Sequence, residues 1–181
     1  MTNKLNDIES IFKEHHARLC NIANNIVNDR DNAKDIVQDV FYGLWQNRQK
    51  VDWNSSLYGY LVRATTNRSI NWLEKNNRNS SLDQNNIEPI RNTTEDIIHA
   101  NELQEKIKDS IERFPPRCKA IFVLSRYEGM KYTQIAEHLD ISIKTVENQM
   151  SIALSRLRND LKAFIHTSFI VLILLLYFLS R

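Results

Sequence analysis

Apolar residues recur along this chain at intervals of three and four, the repeat of an α-helix with one buried face. The pattern is cleanest from Ala33 to Asn47. There Ala33, Ile36, Val37, Val40, Phe41, Leu44 and Trp45 share one side, while Asp35, Gln38, Asp39 and Gln46 occupy the other. A helix is predicted before it, from Leu5 to Val27, with Ile8, Ile11, Phe12, Leu19, Ile22, Ala23 and Ile26 inward. Asn28-Asp29-Arg30-Asp31 between the two is a turn rich in capping residues. A third helix is predicted from about Leu57 to Asn76. It buries Leu57, Leu61, Ala64 and Leu73, and displays Arg63, Asn67, Arg68, Asn71, Trp72 and Lys75. The stretch from Arg48 to Ser56, which contains Trp53, reads as a loop.

The periodicity lapses between Asn79 and Asn101. That stretch is rich in Asn, Ser and Thr, contains Pro89, and sets Asp83, Glu88, Glu95 and Asp96 against Arg91. It reads as a flexible acidic linker, with helix resuming near Thr94. Helices on both sides of such a segment imply two domains. The second begins with Leu103, Ile107 and Ile111 on one helix face. Phe114-Pro115-Pro116 breaks that helix, and Pro116 suits the first turn of the next, which carries Ile121, Phe122 and Leu124. Gly129 ends this helix, since Gly takes the left-handed cap conformation without steric cost. Two further helices follow. The first is short, with Thr133 as its expected N-cap and Ile135, Ala136 and Leu139 on one face. Asp140-Ile141-Ser142 makes the turn, and Ser142 caps the second. Its stripe is Val146, Met150, Ala153, Leu154, Leu157 and Leu161. Lys144, Thr145, Glu147, Asn148, Ser151 and Ser155 face away. A short helix, a tight turn and a longer helix with a polar outer face is the helix-turn-helix pattern, whose second helix enters a DNA major groove.

Composition narrows the class. At 181 residues one or two domains are expected. With three Gly and three Pro, the chain reads as all-α. Gly43, Gly59 and Gly129 are too far apart for a glycine-rich phosphate loop or dinucleotide fingerprint. A net charge of +2 means that any DNA contact comes from local patches. Cys20 and Cys118 belong to no motif. Met1 to Ser10 is polar, unlike a signal peptide, and a reducing cytoplasm fits. The five His show no metal-ligand spacing, so no metal or other cofactor is expected. His15 and His16 are expected to be one half-buried and one exposed. An enzyme is disfavoured because no catalytic constellation is present.

Three segments carry a family resemblance. Asp35-Ile36-Val37-Gln38-Asp39-Val40-Phe41 is similar to the core-polymerase-binding helix of bacterial sigma factors. Tyr58-Gly59-Tyr60-Leu61-Val62-Arg63-Ala64-Thr65-Thr66-Asn67-Arg68 resembles the helix that reads and opens the minus-ten promoter element. Glu128 to Glu137, followed by Lys144-Thr145-Val146-Glu147-Asn148, resembles the domain that reads the minus-thirty-five element. Their order and spacing match the extracytoplasmic-function (ECF) group of the sigma-70 family over roughly residues 5 to 162. The resemblance implies a region-2-like domain at 1–78, a linker at 79–101 and a region-4-like helix-turn-helix domain at 102–162, and the apolar tail at 163–181 lies beyond it. It implies core RNA polymerase, promoter DNA and a membrane-bound anti-sigma factor as partners. The alternative is a stand-alone helix-turn-helix transcriptional regulator, although no α/β receiver pattern precedes the DNA-binding part.

Residue chemistry fits those roles. Asp35, Gln38 and Asp39 stand one turn apart, and carboxylates pair with Arg on a partner helix. Lys144 and Thr145 suit phosphates at a helix N-terminus. Asn148 suits adenine, Glu147 suits the amino group of cytosine, and Ser151 suits base or backbone. Positive charge on this helix arrives only at Arg156, a further candidate for the upstream element, and at Arg158. Gln149 and Ile152 stand where many relatives place Arg, so upstream reading is expected to be weak in isolation. Amides and aromatics capture unstacked bases, and Arg63, Asn67, Arg68, Asn71 and Trp53, with Ser55, are candidates for the downstream element. Tyr58 and Trp72 serve either there or in the core.

The tail needs its own account. Phe169 to Leu179 reads FIVLILLLYFL, and Ala163-Phe164-Ile165 extends it upstream across His166-Thr167-Ser168. Three readings compete: burial on the protein's own core, contact with a partner such as an anti-sigma factor, or a shallow membrane anchor flanked by Arg156, Arg158, Lys162 and Arg181. A partner or membrane contact is favoured, because such a patch is too large to leave exposed.

Overall fold

A computed structural model of the chain describes residues 3–49, 57–80 and 98–179, with side chains placed over 8–49, 57–77 and 103–162. Among the described residues all regular structure is helical. The helices are α1 (Asn3–Val27), α2 (Arg30–Gln46), α3 (Leu57–Ser80), α4 (Ile98–Glu112), α5 (Pro116–Arg126), α6 (Tyr132–Leu139) and α7 (Ile143–Leu179).

The first three pack on one another around Leu19, Ile22, Ala23, Ile26, Val37, Val40, Leu44, Leu61 and Val62, all buried. Asn28 turns the chain in the left-handed region, at φ 55°. The Asp29 carboxylate then accepts from the Asp31 and Asn32 amides at 3.0 and 2.9 Å. Those amide hydrogen bonds satisfy orphan donors of the first turn and hold the Asp29 carboxyl below its usual range. Because that cap forms, α2 begins at Arg30 rather than at Ala33. Trp45 does not pack inward as its spacing suggests. It is 42% exposed, stacks on Tyr42 with centroids 6.5 Å apart, and lies 4.6 Å from the Arg48 guanidinium. His15 and His16 are both half-buried. Helices cover α1 on several sides: His15 meets the Tyr58 ring at 5.3 Å, and His16 meets Cys20 Sγ at 3.5 Å.

In the second unit α5 is the buried centre, with Cys118 through Leu124 all inside. Pro116 opens it at the position where a missing amide hydrogen costs nothing. Lys119 is 1% exposed, and its ammonium meets Glu112 at 2.7 Å. Gly129, at φ +67°, turns the chain so that the Met130 amide donates to the Leu124 carbonyl at 3.1 Å. Thr133 is not the N-cap of α6. Lys131 takes that place, and its amide is satisfied from downstream by Gln134 Oε1 at 2.9 Å. Asp140 closes α6 in the left-handed region. Ser142 Oγ then accepts from the Thr145 amide at 3.0 Å, the expected cap of α7. On α7, Val146, Met150 and Ala153 are buried and Leu157 half-buried. Leu154 leaves the stripe, about 100° round the helix from Ala153, and is 41% exposed.

The two units touch. Helices α1 and α3 pack against α5, and α3 also packs against α6. α3 runs on to Ser80, past its expected end at Asn76. The predicted helix restart near Thr94, most of the predicted linker, and the loop holding Trp53 and Ser55 lie outside the described residues.

Candidate nucleic-acid interface

Capping and burial together orient the start of α7. Val146 and Met150 are fixed inward, so Lys144, Thr145, Glu147, Asn148 and Ser151 stand exposed on the other side. The Cys118 thiol reaches the Gln149 carbonyl at 3.4 Å, tying α5 to the back of this face. On the face itself Lys144 lies 3.4 Å from Glu147. The Thr145 hydroxyl lies 2.8 Å from Ser142 Oγ. Ile143 and Ile152 add exposed apolar surface. Such a face offers a cation, hydroxyls, an amide and a carboxylate, the set that meets phosphates and base edges. Arg156 is not gathered with it. Its guanidinium reaches the Arg113 carbonyl, just past α4, at 3.4 Å.

A second face lies on α3. Arg63, Asn67 and Asn71 are exposed one turn apart, and Arg68 is exposed next to Asn67. Beneath them Thr65, Thr66 and Ser69 are buried, and the Ser69 hydroxyl donates to the Thr65 carbonyl at 2.9 Å. Arg68 leans over α2, where a Cβ added to Gly43 would sit 3.5 Å from its guanidinium. Trp72 serves packing: half-buried, it donates its indole N–H to Asn32 at 3.1 Å. Tyr58 is also half-buried, with His15, His138 at 6.2 Å and the Arg18 guanidinium at 5.1 Å around its ring. Burial pushes its hydroxyl pKa up.

A third face lies on α2. Asp35, Gln38 and Asp39 are exposed, and the same side continues into Tyr42 and Trp45. The spacing from Asp35 and Asp39 to Tyr42 was visible in the sequence, yet an aromatic residue in a helix pattern reads as core by default. The inter-unit pairs carry no such signal. Arg63 meets Asp140 at 3.1 Å, and Arg18 meets Glu128 at 3.2 Å. The partners are 77 and 110 residues apart.

The family described as Sigma-70 region 2 matches residues 11–79, and that described as Sigma-70, region 4 matches residues 104–157. The ECF RNA polymerase sigma factor SigW of Bacillus subtilis is 25% identical over 86% of this chain and 88% of its own length. The ECF RNA polymerase sigma factor SigE of Mycolicibacterium smegmatis is 23% identical over 84% of this chain, and the match spans 61% of that protein. Among solved structures, the sigma factor RpoE of Bartonella quintana, in complex with the anti-sigma factor NepR, superposes with a TM-score of 0.62. That match has 19% identity and covers 86% of this chain and 97% of the other. CnrH, in complex with the cytosolic domain of CnrY, gives 0.61 at 19% identity over 86% and 88%. These likenesses show the fold.

Proposed function

The chain belongs to the sigma-70 family, in its ECF group, and from that premise we propose that it binds core RNA polymerase and directs promoter-specific initiation. It acts as a non-enzymatic factor on chromosomal DNA, hence in the cytoplasm. The region-2-like unit, residues 1–78, docks on polymerase through Asp35, Gln38 and Asp39. Its α3 face, with Arg63, Asn67, Arg68 and Asn71, takes the opened minus-ten element, joined by Trp53 from the preceding loop. The region-4-like unit, residues 102–162, lays the start of α7 in the major groove of the minus-thirty-five element. Residues 79–101 link the two.

One observation supports this reading above the others. Lys144, Thr145, Glu147, Asn148 and Ser151 stand exposed together on the second helix of a helix-turn-helix, in a chain whose other unit matches region 2 of the same family. The Bartonella RpoE structure holds its sigma factor with the anti-sigma factor NepR. We extend that to this chain, with an anti-sigma factor as its regulator.

Transcription with purified core polymerase tests the proposal. The expected result is a specific start from a promoter mapped after overexpression, with no other sigma factor added. A stand-alone helix-turn-helix regulator would give no specific transcript until another sigma factor was supplied.

A further inference from the structure

The family match ends at residue 157, but α7 continues as helix to Leu179. The helix that starts with the DNA-reading face therefore ends in the apolar tail. Its 37 residues make a rod of about 55 Å, with Asn148 and Ser168 about 30 Å apart along it. From Ala163 to Leu179 the sequence holds no charged Asp, Glu, Lys or Arg. Its polar residues before Tyr177 are His166, Thr167 and Ser168. Being consecutive, at about 100° per residue, they wind round the helix instead of forming one face.

That absence of a polar face selects the environment. A helix that binds a protein groove, or lies flat on a bilayer, is amphipathic, because one side stays in water. A helix apolar all round has to be surrounded, in a large protein core or in lipid. Helices α4, α5 and α6 pack against α7, whose buried residues Val146, Met150 and Ala153 lie on one side. Arg158 and Lys162, both exposed, precede the apolar run. The acid between them, Asp160, is already engaged by Ser110 and Arg113. A cationic collar beside an apolar rod complements anionic headgroups over hydrocarbon. Among residues with described side chains, which end at Lys162, no helix is long and apolar enough to cross a membrane. The tail from Ala163 to Leu179 is about 25 Å long, against a hydrocarbon core of about 30 Å.

We propose that the C-terminal part of α7, from Ala163 to Leu179, inserts into an anionic lipid bilayer, with Arg158 and Lys162 at the headgroups. The recognition face then stands clear of the membrane at the far end of the same helix. This proposal is independent of the transcription reading, because it concerns residues that the family match does not reach.

The test is flotation of the purified full chain with protein-free vesicles of phosphatidylethanolamine and phosphatidylglycerol, after detergent removal. The wild type is expected to float, and to keep floating at about 1 M salt, where the screening length is about 3 Å. Leu174→Asp places a charge in the middle of the apolar run and is expected to lower the floated fraction about tenfold or more. Deletion of residues 168–181 is expected to abolish flotation, leave the cooperative thermal melt intact and leave lipid-free transcription unchanged. A wild type that stays at the bottom of the gradient overturns the proposal, and a protein then covers the tail. Loss of flotation in high salt overturns it in favour of adsorption by the cations. Full flotation of Leu174→Asp overturns it, and so does a truncated chain that no longer melts cooperatively, since the tail would then be core.

Discussion

Arg63 Nη2 lies 3.1 Å from Asp140 Oδ2, and this pair joins α3 to the turn of the helix-turn-helix. One of the residues proposed for the downstream promoter element is thus tied to the domain proposed for the upstream one. Arg18 and Glu128 form a second tie at 3.2 Å, with the Glu128 side chain only 10% exposed. The two elements lie about 25 base pairs apart, hence about 85 Å at about 3.4 Å per pair. On the proposed assignment of the two faces, units in direct contact have to part before both elements are read. An exposed pair contributes only about 0.2–1 kcal/mol, so Arg63–Asp140 orients the contact more than it locks it. In a double-mutant cycle, Arg63→Ala and Asp140→Asn are expected to couple by about that amount. Asn is chosen because it tolerates the left-handed backbone of Asp140. Combining Arg63→Ala with Glu128→Gln is expected to raise the radius of gyration in solution scattering at unchanged helicity. An unchanged radius would mean that packing of α5 against α1 and α3 suffices to hold the units together.

Acid should loosen the second unit through Asp160. The Ser110 hydroxyl donates to its carboxylate, and the Arg113 guanidinium lies 3.1 Å away. Both hold the Asp160 carboxyl below its usual range. A carboxylate with its folded pKa below the unfolded value stabilises fully above the ordinary value, about 3.9 for Asp. That contribution fades as pH falls through the folded pKa. Urea midpoints of Asp160→Asn are expected to start lower at neutral pH and decline less below about pH 4. Some slope remains, since the Asp29 carboxyl is depressed as well. A variant with the wild-type acid slope would show that Ser110 and Arg113 do not act through this group.

Local chemistry made most of the fold legible. The stripe of Ala33, Ile36, Val37, Val40, Phe41 and Leu44 is buried as its spacing implies. Ser142 caps α7, and Pro116 opens α5. The misreadings have local causes too. Thr133 is a good capping residue, but the Gln134 side chain moved the cap to Lys131. Trp45 and Leu154 lie at the margins of their stripes, where period alone does not decide exposure. The inter-unit pairs were illegible for a different reason: ion pairs between distant segments leave no periodic trace. Trp72 was open to either reading until Asn32, 40 residues away, supplied its acceptor.

Docking on polymerase is expected to depend on charge along α2. Asp35, Gln38 and Asp39 are exposed on one side, and no ion pair to Asp35 or Asp39 is formed among the described residues. Reversing either charge therefore removes nothing that the fold uses. Asp39→Lys and Asp35→Lys are each expected to abolish co-purification with core polymerase while circular dichroism stays unchanged. Undiminished co-purification would move the docking face off this helix.

The two DNA faces should fail in different ways. Asn148 is exposed on α7 two residues from Met150, which is buried, so its amide sits on a rigid mount. An Asn amide can both donate to and accept from adenine, and loss of such a bidentate pair costs about 1–3 kcal/mol of discrimination. Asn148→Ala is therefore expected to flatten base preference at one position of the upstream element, with little change in duplex opening. Asn67 stands on α3, one turn beyond Arg63 and above the buried Thr65, Thr66 and Ser69. The proposed assignment of this face to the minus-ten element puts the Asn67 amide beside unstacked bases. Asn67→Ala is expected to leave upstream preference intact and to weaken permanganate reactivity of the downstream bubble. If both variants lose the same step, the two faces do not read separate elements. If the bubble is unchanged in Asn67→Ala, the α3 face does not hold the opened strand.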